Sequence, residues 1–206
     1  IDIALALCAQ IKAECTLVQQ EWDGMIPALN SKKFDAIIAS MAITDERKKV
    51  VNFTDKYMNT PARMVGRVDA RLDASPAGLK GKRIGVQRAT IHDRFLTEVY
   101  KDSEIVRYAK QEEVYLDLAA GRIDVAMGDS VAMDGGFLKK PMGKGHGFFG
   151  PAYNDPKYFG YGAGIAVRKS DTDLQARFNA AIPAIRANGV YKKIQDKYFD
   201  FDVFGK

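Results

Sequence analysis

Histidine, cysteine and tryptophan are scarce in this chain of 206 residues, with two, two and one respectively. Neither His92 nor His146 has a Ser, Cys or Asp partner at a recognisable catalytic spacing. His146, in the glycine-rich stretch "GKGHGFF", reads as a solvent-exposed bystander. Two thiols, Cys8 and Cys15, cannot complete a zinc site alone, and C-x6-C is not a redox CxxC motif. No run reaches the roughly 18 apolar residues a membrane span needs. Phosphate-cradling glycine motifs, GxxxxGK[ST] or GxGxxG, are also missing. No paired-carboxylate or metal-ligand cluster stands out, so neither a cofactor nor a metal is expected.

Charge of one sign is not concentrated either. The net charge is +5, and the densest basic runs, "ERKK" (46–49) and "KGKR" (80–83), read as solvated helix or strand ends. No nucleic-acid partner is expected. A composition of 47% hydrophobic and 28% charged residues excludes disordered and fibrous classes. The length suits one large domain or two small ones.

Strand and helix signals alternate. Helices are expected at 2–13 and 23–31 and strands at 16–20, 35–39 and 60–68. A polar Pro/Gly-containing segment, 69–82, follows, and then the pattern restarts. "RIGVQ" (83–87), "EIVRY" (104–108) and "RIDVAMG" (122–128) read as strands, with helices at 90–101, 110–120 and 129–139. Gly/Pro-rich loops fill 140–162, and "AGIAVRK" (163–169) is a strand. The last helices are 171–187, capped by Ser170 or Asp171 and ended by Asn188-Gly189, and 190–198. Such alternation predicts parallel sheets covered on both faces. Residue 1 already lies within a helical turn, so a preceding strand and loop are expected to belong to the fold.

Cys8 sits near the end of the amphipathic "IDIALALCAQIKA", and Cys15 opens "CTLVQQ". A turn between them can bring the thiols within disulfide range, and two separate buried thiols are the lesser alternative. A disulfide would imply an oxidising compartment.

"SKKFDAIIAS" (31–40) and "AGRIDVAMGD" (120–129) share a plan: a helix end, an apolar residue, Asp, then a buried strand. Ser40 and Asp129 close those strands, where open α/β sheets hold ligands. Shortly after Ser40 comes "TDERKK". Thr44 is an N-cap and Asp45 and Glu46 suit a first helical turn, but Arg47 is a cation where anions are favoured. A guanidinium beside helix N–H groups matches a carboxylate; a surface ion pair with Asp45 or Glu46 is the plainer explanation. Asp129 can take an ammonium, cap helix 129–139, or do both. Trp22, in "QEWDGMIP", is either a core lid or a stacking face for a ligand side chain, including a cationic one.

Taken together, "IDIALALC", the C-x6-C pair, "WDGMIPAL", "FDAIIASMAITDERKKVVNFTDKY", "GLKGKRIGVQRAT", "LAAGRIDVAMGD", "KYFGYGAGIAVRK" and "NGVYKKIQDKYFDFDVFG" resemble the periplasmic solute-binding proteins of polar amino-acid ABC importers. The likeness spans the whole chain and is to the lysine/arginine/ornithine- and histidine-binding branch. It implies an α/β fold of the type II periplasmic-binding-protein kind: lobe 1 from 1–60 and 163–206, lobe 2 from 64–158, and hinge strands near 60–64 and 159–163. It further implies a Cys8–Cys15 disulfide, a periplasmic location, and a monomer that meets an ABC permease in the inner membrane.

By the same resemblance, Arg47 binds the ligand carboxylate with the Ala42 backbone, and Asp129 binds the ammonium with Ser40. Thr90 brings a helix N-terminus to the carboxylate, Trp22 stacks on the ligand side chain, and Gln87 and His92 tune specificity. The chain departs from the family at Ala39 and Ala42, where Ser is frequent, and at Ile91, where relatives have Thr. The segment expected before residue 1 would carry the first strand, a second stacking aromatic and an acidic residue. Should the protein lack it, weak binding or a compensating partner chain is expected. The implied function is a receptor for arginine, ornithine or lysine. Histidine or an opine are alternative ligands. A cyclic-acid dehydratase using His92 and Asp129, or an extracytoplasmic sensing domain, are the other functions considered.

Overall fold

The computed structural model describes residues 1–205. Helices α1 (Asp2–Gln10), α2 (Met25–Asn30) and α3 (Asp45–Lys48) precede strands β1 (Asn52–Met58), β2 (Ala62–Arg67) and β3 (Arg83–Gln87). Then follow α4 (Ile91–Val99), β4 (Glu104–Tyr108), α5 (Gln111–Ala119), β5 (Val125–Asp129), α6 (Ser130–Met133) and β6 (His146–Tyr153). The chain continues through α7 (Pro156–Phe159), β7 (Ala163–Val167), α8 (Thr172–Ala187) and α9 (Val190–Tyr198). It divides into two compact units. Unit 1 holds residues 1–20, 24–59 and 160–206, and unit 2 holds 21–23 and 60–159.

In unit 1, β7 pairs antiparallel with β1, Asn52 opposite Val167 and Met58 opposite Ala163. On β7's other side run bridges from Ile37 to Ala166 and from Ala42 to Ala163. β7, "AGIAV", is buried along its whole length, as a strand flanked on both sides and covered should be. Helix α8 packs on β1 and on α1, and α9 on α1 and α8. Leu7, Leu29, Val51, Ile165, Ile182 and Ile185 fill the core between them. The Cys8–Cys15 disulfide forms, with the Cα atoms 6.2 Å apart.

Unit 2 is built on a five-stranded sheet in the order β4-β3-β5-β2-β6. β3 runs parallel to β4 and β5, whereas β2 runs antiparallel to β5 and β6. The two-residue period of a strand sends neighbours to opposite faces. Met64 and Met127 thus join one core with Ile84, Val86, Phe95 and Leu96. Val65 and Ala126 join another with Val114, Leu118, Ile123 and Phe137.

Several expectations are corrected. The sheet of unit 2 is mixed rather than parallel, because "TPARMVGRV" forms β2, which runs against both of its neighbours, β5 and the strand at 146–153. That second strand lies where loops were expected: its glycines and Pro151 obscured an edge strand. "NFTDKYM" forms β1, unforeseen because Asp55 and Lys56 interrupt its apolar pattern. Residues 16–20 form no strand among the described residues, and 35–39 reduces to the bridge at Ile37. A strand exists only through its partner, and an apolar run alone does not provide one. Helix 2–13 ends at Gln10, and 129–139 breaks into α6 and a π-helical turn, Asp134–Leu138, carrying Gly135 and Gly136. His146 is not a bystander in a loop. It is half-buried on β6, edge-on to Phe137 at 5.2 Å.

The entry into β7 fixes the segment from which Arg47 projects. Ile43 donates its N–H to Gly162 O at 2.8 Å, and Tyr161 donates to Ile43 O at 3.0 Å. Gly160 adopts φ +72°, and a Cβ there would lie 2.2 Å from Ile43 O. Gly160→Ala is therefore expected to destabilise the protein by about 2 kcal/mol or more, from left-handed strain and the clash together. That corresponds to roughly 4–8 °C in Tm for a domain of this size, measurable by thermal unfolding.

Candidate functional site

In unit 1, three of the sequence-derived candidates lie on one short path. Ser40 is exposed and takes φ +52°; its N–H donates to the Tyr57 hydroxyl at 2.8 Å and its Oγ meets Met58 Sδ at 3.6 Å. Ala42 is buried against β7. Arg47 is half-buried on the single turn of α3, and its Nη1 donates to Ala42 O at 3.0 Å. Thr44 caps that turn, accepting the Arg47 N–H on Oγ1 at 3.2 Å. The cap therefore already occupies one helix N–H that was expected to be open beside the guanidinium.

In unit 2, Gln87 and Asp129 end the neighbouring parallel strands β3 and β5, whose register pairs Ile84 with Val125. Their carboxyl ends lie side by side, the place where α/β sheets carry ligands. Past Gln87 the chain turns through Arg88 and Ala89 into α4. Thr90 is the N-cap: its Oγ1 accepts the Asp93 N–H at 3.1 Å and donates to Gln87 O at 2.8 Å. Its hydroxyl is thus engaged within the turn, and what the helix start presents is main chain at Ile91 and His92. Ile91 packs against the core around Phe95. The His92 ring lies 6.1 Å from Phe159. Gln87 Nε2 donates to Ala109 O at 3.1 Å. Trp22 reaches the same turn, its Nε1 donating to Ala89 O at 3.1 Å.

Asp129 combines the capping and charge roles. Its Oδ1 accepts from the N–H groups of Val131 at 2.9 Å and Ala132 at 3.2 Å, opening α6. Its Oδ2 accepts a short bond from the Thr60 hydroxyl. Burial nonetheless pushes the carboxyl above the ordinary aspartate range, and these three donors only partly offset the loss of water. A desolvated carboxylate satisfied by neutral donors attracts a cation. Thr60 was not anticipated; it lies 69 residues from Asp129, and its only local signal is the extended conformation imposed by the following Pro61. Tyr57 was also missed, as were Ala89 and Asp93, the latter holding the Ala89 N–H at 3.2 Å. No cluster of metal-ligating side chains occurs among the described residues.

The model for bacterial extracellular solute-binding proteins, family 3, matches residues 1–201. The L-arginine-binding protein of Pseudomonas aeruginosa is 54% identical, covering 100% of this chain and 80% of its own. The lysine/arginine/ornithine-binding periplasmic protein of Escherichia coli is 41% identical with the same coverage. Among solved structures, a Salmonella typhimurium periplasmic binding protein described for high arginine specificity superposes with a TM-score of 0.88. It is 34% identical, covering 96% of this chain and 87% of its own.

Because the Asp129 carboxyl binds its proton more readily folded than unfolded, its ionisation costs stability at neutral pH. That cost fades as pH falls from the raised folded value toward the ordinary one. Asp129→Asn keeps an acceptor for the α6 N–H groups and removes the charge. The variant without ligand is expected to melt above the wild type at pH 7, and the difference should narrow toward pH 4, as read by calorimetry.

Proposed function

The chain belongs to the bacterial extracellular solute-binding proteins of family 3, and on that premise we propose that it is a periplasmic receptor for a basic L-amino acid. Arginine, ornithine or lysine is the ligand, and an ABC permease in the inner membrane is the recipient. As a member of a family of binding proteins it is a receptor and not an enzyme. The fold is that of the type II periplasmic binding proteins.

The observation that carries the ligand class is the desolvated carboxylate of Asp129 on unit 2, taken with the Arg47 guanidinium on unit 1. In this reading Asp129, with Ser40, receives the α-ammonium. Arg47 receives the α-carboxylate, with main-chain groups at Ala42 and at the α4 start around Thr90 and Ile91. Trp22 offers its indole face to the ligand's cationic side chain, while Gln87 and His92 border the same turn. The names of the relatives, arginine- and lysine/arginine/ornithine-binding, support that class. The domain division of the proposal is lobe 1 from 1–60 and 163–206, except that residues Glu21–Asp23 group with unit 2, and lobe 2 from 64–158. Segments 60–64 and 159–163 act as a hinge. A ligand that engages residues of both lobes favours the conformation in which both reach it. The receptor acts as a monomer.

Calorimetric titration with arginine, lysine, ornithine, histidine and glutamine tests this directly. At least one basic amino acid is expected to bind with a Kd of about 1 μM or tighter, near −8 kcal/mol. No heat with any of the five would overturn the proposal. Arg47→Ala should weaken every ligand by roughly 30-fold or more, as expected when one partner of a hydrogen-bonded charge pair is removed. Trp22→Ala should instead change the ranking among side chains. Affinity should hold across neutral pH and fall, as pH drops, above the range in which an ordinary aspartate titrates, because protonated Asp129 no longer attracts the ammonium.

A further inference from the structure

Residues Glu21–Asp23 group with unit 2, although their neighbours on both sides group with unit 1. Contacts from each of the three residues hold them there. The Glu21 carboxylate pairs with Lys110 Nζ at 3.2 Å. Trp22 Nε1 donates to Ala89 O at 3.1 Å. Asp23 Oδ2 accepts from Arg88 Nε at 2.8 Å and lies 2.7 Å from its Nη2. Lys110 is the N-cap of α5, while Arg88 and Ala89 form the turn between β3 and α4.

The acceptor of the indole bond is itself fixed. Ala89 takes φ +59°, a conformation that costs a residue bearing a Cβ and persists only when its surroundings enforce it. Asp93 enforces it by accepting the Ala89 N–H, and Arg107 in turn fixes Asp93 at 2.8 Å. The Nε1 bond holds one edge of the indole, and the ring follows the backbone that carries it. Ion pairs on the residues immediately before and after Trp22 hold that backbone, so the ring plane is set from three points.

We propose that Asp23 and Arg88, seconded by Glu21 and Lys110, are positioning residues for Trp22, and that they set the preference among basic side chains. The selectivity half rests on the proposed role of Trp22 as the ligand's stacking face; the clamp does not. Both ion pairs are largely exposed, so each is worth about two- to five-fold in an equilibrium and weakens with salt.

Trp22 is the sole tryptophan, so its fluorescence reports the clamp without a label. In ligand-free protein, Arg88→Glu is expected to lower the emission anisotropy and raise acrylamide quenching, and the charge-swapped Asp23→Arg/Arg88→Glu double variant should restore both. In titrations, Arg88→Glu should change the arginine-to-lysine affinity ratio two- to five-fold, the swap should recover it, and in a Trp22→Ala background Arg88→Glu should leave the ratio unchanged. Unaltered anisotropy in Arg88→Glu, or the same shift in ratio with and without Trp22, would overturn the proposal. A wild type that binds none of the amino acids would remove the receptor reading and the selectivity half with it, while the anisotropy would still decide the clamp.

Discussion

A carboxylate that burial disfavours sits at the centre of unit 2, and much of the surrounding structure keeps it in place. Asp129 ends β5, opens α6, and bonds across to Thr60 at the entry to β2. One side chain therefore joins a strand end, a helix start and the chain segment entering the neighbouring strand. Neutral donors hold the carboxylate without neutralising it. Any of these elements would be easier to build around an asparagine. Ionisation of that carboxyl costs the ligand-free protein stability, a cost that a proton or a nearby cation relieves, and such a group is a candidate for function rather than for stability.

Backbone conformation marks the same places. Among the described residues, five other than glycine have positive φ: Lys12, Lys32, Ser40, Arg71 and Ala89. Lys12 and Lys32 follow the ends of α1 and α2, where the next N–H turns back to Cys8 O and Ala28 O, an ordinary left-handed helix ending. Arg71 closes a 3-10 turn. Ser40 and Ala89 end no helix. Each is enforced by side chains from elsewhere, Tyr57 for Ser40, and Asp93 with Trp22 for Ala89. Strain that local geometry does not require thus falls at the two candidate half-sites, one in each unit.

These features differ in how far the sequence discloses them. The strands "RIGVQ" and "EIVRY" and the helix 190–198 are where their patterns put them, because each carries its own period and its own end signals. Asp129 as a cap was legible for the same reason: capping is a relation between residues three apart. β1 and β6 were not, since a strand's existence depends on a partner elsewhere in the chain, and β6 carries glycine and proline that mimic a loop. Thr60 and Ala89 were invisible for a further reason. One acts across 69 residues, and the other acts through a carbonyl that every residue type possesses.

Two threonines cap the helix starts beside the candidate anion positions. Thr44 and Thr90 both spend their hydroxyl oxygens on capping their own helices, and Thr90 also donates its proton to Gln87 O. Ala42 and Ile91 carry no hydroxyl. Hydroxyl donors therefore contribute little around either candidate anion position, and what remains is a guanidinium, main-chain N–H groups and, on the other unit, a desolvated carboxylate. Under the proposed receptor function, these groups would distinguish ligands by where their charges lie rather than by how many hydrogen bonds they complete. On the same proposal the ligand side chain meets the indole of the sole tryptophan, which gives the orientation of Trp22 its weight.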